Sequence, residues 1–219
     1  MSKIEVHLLN MKNVTEIEQE LLGDSDDFKK ALLAAVEQKP HISAPSLLFK
    51  TDKEIQLTAV DISNIESAGR GNMNTSELLK IIGKDRVIKD AVAYGSYNHG
   101  TTFQDAALKF KQWSHPWRLQ LYERNVLNEE KGVDEGLVAE ISLALLKDLK
   151  TIGRTIVIVT GDGNKNDGNP SFIEAARLAL IYGWTVELWF WKTRLSKNYT
   201  NEFFQKYISS GFFKLRELN

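Results

Sequence analysis

Residues 155–164 read TIVIVTGDGN: six β-branched residues without a charge, then Asp162 held between Gly161 and Gly163. An apolar run this short, closed by turn residues, is the pattern of a strand buried on both faces. Residues 172–182 follow with apolar positions at helical spacing, Gly183 breaks the pattern, and residues 185–190 (TVELWF) form another strand-like run. Strand, helix and strand in that order make a βαβ unit, which requires parallel pairing.

The same alternation extends in both directions. Strands are predicted at 56–62, 86–94, 118–124, 155–160, 185–190 and 212–215, and helices at 76–82, 102–112, 134–151, 172–182 and 201–209. The helix from Asp134 has the clearest signature, because Leu137, Val138, Ile141, Leu145 and Leu149 share a face and Gly153 follows the last turn. The expected fold is a three-layer, Rossmann-like α/β domain over residues 51–219 with a mostly parallel central sheet. Residues 1–50 read differently. Two short helices at 14–22 and 28–36 flank a polar stretch, and 41–45 forms an irregular link, so a small helical extension is expected there, packed on the α/β domain, on a second copy in a homodimer, or on a protein partner.

Composition bounds the function. Of 219 residues, 42% are hydrophobic and 26% charged, which is the composition of a folded domain. With no cysteine, disulfides, thiolate metal sites and thiol nucleophiles are excluded, and any metal must sit on oxygen or nitrogen ligands. Lys and Arg number 28 against 29 Asp and Glu, so no global field draws the chain to nucleic acid and such a partner needs a local basic rim. Charges interrupt the first apolar stretch early and no apolar run approaches a membrane span, so an intracellular protein, cytoplasmic or nuclear, is expected with no membrane partner.

In an open parallel sheet the reactive crevice lies beyond the carboxyl ends of the strands. Asp61 closes the first strand, and either caps the following turn or projects into that crevice. Asp134 opens a helix, where an N-cap is the simplest role. Asp162 closes the fourth strand on a turn that exposes its carboxylate. Asp162, Asn164 and Asn166 match the first, third and fifth positions of a calcium loop, but Asp167 stands where glycine is needed and Ile173 where glutamate is needed. Phosphate-cradling glycine loops, nucleophile elbows and the H-E-x-x-H zinc motif are absent. Three carboxylates converging on one crevice repel one another unless a divalent cation offsets them, and all-oxygen ligands suit Mg²⁺ or Mn²⁺, ions that promote attack of water on a phosphodiester.

The order VDISN (60–64), EKGVD (130–134) opening a helix, and IVIVTGDGN (156–164) before a further helix and strand resembles the NYN domain family of PIN-like, LabA-like ribonucleases. The resemblance implies a PIN-like fold and a metal-dependent endoribonuclease cutting single-stranded RNA, with Mg²⁺ or Mn²⁺ held by Asp61, Asp134 and Asp162. It matches Asn64 to the polar partner of the first Asp and Lys131 to the lysine of the K-G-V-D motif. Asn164 stands where the family places a second aspartate, and Asp167 lies in the stretch that follows. Arg124 ends the third strand, Lys165 follows the turn at Asp162, and Lys192, Arg194 and Lys197 follow the fifth strand, all on the carboxyl-end edge where they would meet RNA phosphates. Trp189, Trp191 and Tyr199 are candidates for stacking on bases, with the core the alternative for Trp189. A catalytically weak module that binds RNA or protein as a scaffold is the alternative function.

Overall fold

A computed structural model describes residues 53–67, 74–147, 154–160, 171–191 and 195–218. The chain divides into two units, Met1–Ile42 and Ser43–Asn219, and every described residue belongs to the second. The helices expected at 14–22 and 28–36, the link at 41–45 and the boundary near residue 50 lie outside the described residues.

Among the described residues, seven strands form one sheet: β1 (Glu54–Asp61), β2 (Val87–Ile88), β3 (Ala91–Tyr97), β4 (Arg118–Glu123), β5 (Thr155–Val159), β6 (Thr185–Trp191) and β7 (Phe213–Leu218). The order is β4-β3-β1-β5-β6-β7, with β2 beside the start of β1. Each described pairing is parallel. The chain builds outward from β1 in one direction, returns, and builds outward from β5 in the other, which is the doubly wound, Rossmann-like arrangement expected from the sequence.

Among the described residues, six α-helices connect the strands: α1 (Ile62–Ser67), α2 (Thr75–Ile82), α3 (Phe103–Lys109), α4 (Val133–Lys147), α5 (Phe172–Ile181) and α6 (Glu202–Ser209). Right-handed crossovers put α1 to α3 on one face and α4 to α6 on the other, giving three layers. β5 and β6 are buried at every position and β1 at six of eight, because both of their faces are covered. Among the described residues, no helix is long and apolar enough to cross a membrane.

Several boundaries differ from the sequence expectation. The strand expected at 86–94 is one ladder in two pieces: Ile55 pairs with Ile88 and Thr58 with Ala91 at the same offset, while Lys89 and Asp90 separate β2 from β3. The first strand stops at Asp61, and Ile62 begins a helix that apolar patterning did not disclose. The helix expected at 102–112 ends at Lys109 and passes into a 3₁₀ turn, Lys111–Trp113. The last strand runs on to Leu218. The aromatic residues considered for base stacking are interior: Trp189 and Trp191 belong to the main core cluster, and Tyr199 packs its ring against Phe204 and Phe213.

The approach of α4 to the sheet depends on Gly136. A Cβ placed there would stand 2.8 Å from Cδ1 of Tyr94 on β3 and 3.0 Å from the hydroxyl of Tyr122 on β4. Alanine is the better helix former by about 1 kcal/mol, yet overpacking of this kind costs about 1–3 kcal/mol. Gly136→Ala is therefore expected to lower stability by about 1–2 kcal/mol net, read as a lower urea midpoint at unchanged slope. A variant as stable as the parent would show that α4 is not held at this distance by the two tyrosines.

Candidate functional site

The winding of the sheet reverses between β1 and β5, and in such sheets a crevice opens beyond the carboxyl ends of those two strands. β1 is apolar from Leu57 to Val60 apart from Thr58, and its first charged residue at that end is Asp61. β5 ends at Val159 and is followed by Thr160, which is buried. Asn64, on the first turn of α1, links the two ends: its side-chain amide donates to the Asp61 carboxylate and to Thr160 Oγ1 at 3.3 Å. The Asn64 backbone N–H donates to Asp61 Oδ1 at 3.1 Å. Asp61 is thus the N-cap of α1, which explains why the strand stops and a helix starts at this residue.

Asp61 is only 1% exposed. Burial, the largest influence, pushes its carboxyl up to about 8; the backbone hydrogen bond from Asn64 opposes this, and the charges of Asp134 and Glu130 push in the same direction as burial. Two carboxylates of the 130–134 segment therefore act on Asp61, about 70 residues away in the chain.

Asp134 is the second residue of α4, and the N-cap role expected for it is not what the structure shows. Gly132 precedes the helix with φ of 88°, a conformation suited to glycine. Its N–H donates to Glu135 Oε2 at 3.1 Å, so Glu135 does the capping and leaves Asp134 on the half-buried first turn.

Glu130 was not singled out by sequence, although it begins the EKGVD stretch. It accepts from Ser63 Oγ at 2.5 Å and from Ser96 Oγ at the end of β3, and Arg124 Nη2 lies 3.5 Å from its Oε2. Arg124 also donates through Nε to Ser96 Oγ at 3.0 Å. The carboxyl ends of β1, β3 and β4 are thereby tied to the segment leading into α4. Arg124 is committed to that network. Lys131 and Lys197 are exposed, the latter opening the 3₁₀ turn Lys197–Thr200 that follows β6. Asp162, Asn164, Lys165, Asp167, Lys192 and Arg194 lie outside the described residues.

The donors at this edge are carboxylate, hydroxyl and amide oxygens, which match a hard divalent cation in kind. Among the described residues, no group of three or more His, Asp or Glu side chains stands at metal-holding spacing.

No family model matches the chain, nor does any curated protein. Among solved structures, the chain is similar to a protein of unknown function from Vibrio parahaemolyticus RIMD 2210633. The two are 15% identical, the match covers 76% of this chain and 93% of that one, and the TM-score is 0.49.

The raised carboxyl of Asp61 sets a pH dependence. Unfolded, an aspartate releases its proton near 3.8; folded, Asp61 holds it to about 8. Between those values the folded chain carries the extra proton, so this group's contribution to stability is complete below pH 4 and is lost as the pH rises toward 8. Asp61→Asn keeps the side chain's shape and an acceptor for the helix cap but cannot ionise. Relative to the parent, it is expected to lose stability less steeply from pH 4 to 8 and to melt at a higher temperature at pH 8. Parallel stability curves for the two proteins would mean that Asp61 is not held in a raised state.

Proposed function

We propose that the chain is a metal-dependent endoribonuclease that hydrolyses phosphodiester bonds in single-stranded RNA. The observation that carries this reading is the buried Asp61 carboxyl at the winding reversal of the sheet. As a cap, Asp61 stabilises α1 by about 1 kcal/mol, which Asn or Ser would do equally well without charge. Burying a carboxylate beside two others costs considerably more than that. A cation-binding role accounts for the carboxylate where capping alone does not.

Asp61, Asp134 and Asp162 would hold Mg²⁺ or Mn²⁺, with Asn164 as a neutral oxygen ligand. When bound, such an ion supplies an activated water and shields the phosphoryl charge. Asn64 orients the Asp61 carboxylate through its two hydrogen bonds. Glu130, held by Ser63 and Ser96, maintains negative potential at the crevice and fixes the approach to α4. Lys131, Lys165, Lys192, Arg194 and Lys197 would meet phosphates of the strand on either side of the cut, with Arg124 bridging their rim to the carboxylates.

The test is cleavage of an unstructured RNA by the full-length protein with Mn²⁺ or Mg²⁺. Asp61→Asn and Asp162→Asn should each lower the rate at least about 100-fold, the low end of what a positioned acid–base group supplies, with melting curves that show a folded protein. Cleavage that persists in both variants would overturn the site assignment. RNA binding of equal strength in chelator, with no cleavage under any metal, would make the chain a scaffold that retains the fold without the chemistry.

A further inference from the structure

A second polar feature lies on the β6–β7 half of the sheet. A cavity of about 460 Å³ opens between the carboxyl end of α2 and the face presented by β6 and β7. Its floor follows from strand periodicity. Glu187 and Trp189 alternate on β6, and Lys214 and Arg216 stand directly across from them on β7, so all four share one face. Opposite the floor are Ile81 of α2 and the turn that follows it, where Asp85 takes φ of 60°. Lys53, at the entry to β1, completes the rim.

Five lining side chains are cationic and two are acidic. One of the two acids is already engaged: Glu187, 1% exposed, receives both Arg86 guanidinium nitrogens at 2.9 and 3.0 Å, with Lys214 at 3.5 Å. Burial opposes its charge, but the hydrogen bonds and charge of Arg86, with help from Lys214 and Trp189, outweigh that and hold the carboxylate below its usual range. Lys53, Lys84 and Arg216 come from three separate parts of the chain and form no ion pair among the described residues. Gathering unpaired cations around one concavity raises its potential and favours an anion within it. Trp189 contributes an apolar wall that cannot swing freely, because its Nε1 donates to Glu187 at 3.3 Å.

The volume falls in the range of small-molecule sites, about 300–1,000 Å³. The charges converge on a hollow and do not run along a track, which suits a compact anion better than a polynucleotide backbone. Arg offers a planar fork to phosphate and Lys a point charge. We infer that this cavity binds a small phosphorylated molecule of about nucleoside-diphosphate size, with Lys53, Lys84 and Arg216 on the phosphates and Trp189 and Ile81 against its apolar part. None of the residues lining this site belongs to the carboxylate crevice.

Calorimetric titration of the full-length protein at near-physiological salt tests it, with ADP, pyrophosphate and adenosine as probes. ADP is expected to bind more tightly than adenosine, and Lys84→Ala with Arg216→Ala to weaken ADP binding at least about tenfold, as the loss of charge-assisted hydrogen bonds requires. Both residues are exposed and the bonds of Glu187 go to Arg86, Trp189 and Lys214, so the melting curve should be unchanged. Asp61→Asn should bind ADP as the parent does, which separates this site from the nuclease reading. Pyrophosphate binding as strong as that of ADP would assign the affinity to the phosphates alone and remove Trp189 and Ile81 from the ligand contact. The inference is overturned if no phosphate probe binds, if only RNA binds, or if removing Lys109 and Lys206 from α3 and α6 weakens ADP equally.

Discussion

β1 is paired along both edges and covered on both faces, and this double confinement governs the rest of the molecule. A strand in that position must be apolar until it leaves the layers, so its first charged side chain emerges where the helices no longer cover it. In this chain that residue is Asp61. The parallel crossovers on either side of β1 bring the ends of β3, β4 and β5 to the same edge, and with them Ser96, Arg124 and Thr160. A site at the carboxyl edge is therefore a consequence of topology, and the residue types there decide what chemistry the edge can do.

Those residues form a connected set and not a collection of separate caps. Asn64 touches both Asp61 and Thr160, and Glu130 gathers Ser63, Ser96 and Arg124. The loop from β4 to α4 thus reaches back across β3 to α1. Gly132 and Gly136 let that segment and the helix behind it come close to Tyr122 and Tyr94, which keeps Asp134 near enough for its charge to act on Asp61.

The fold was legible in the sequence wherever burial on two faces leaves an uninterrupted apolar run, as in Thr155–Val159, or a helix carries a clear stripe, as from Leu137 to Leu145. The helix α1 was not legible, because its six residues ISNIES offer only one apolar pair, Ile62 and Ile65, too short to set a period, and it begins through a side-chain cap that apolar periodicity does not register. Asp61 could be read from its place after a buried strand. Glu130 could not, since the bonds that position it come from Ser63 and Ser96, 67 and 34 residues away. Tyr199 has the composition of a surface stacking residue, and only the rings of Phe204 and Phe213 show it to be core.

The sheet also keeps two opposite charge environments apart. β1 spans eight residues from Glu54 to Asp61, and at about 3.3 Å per residue its ends are roughly 25 Å apart, about three screening lengths at physiological salt. Lys53 enters the strand on the cavity rim and Asp61 leaves it at the carboxylate crevice, so these two charges act weakly on each other, whereas Trp189 and Arg216 stand in register with Val159 and Val60 and lie nearer the crevice. The buried pair of Arg86 and Glu187 strengthens the separation, because it locks a cation and an anion together on the cavity floor and removes both from the long-range field.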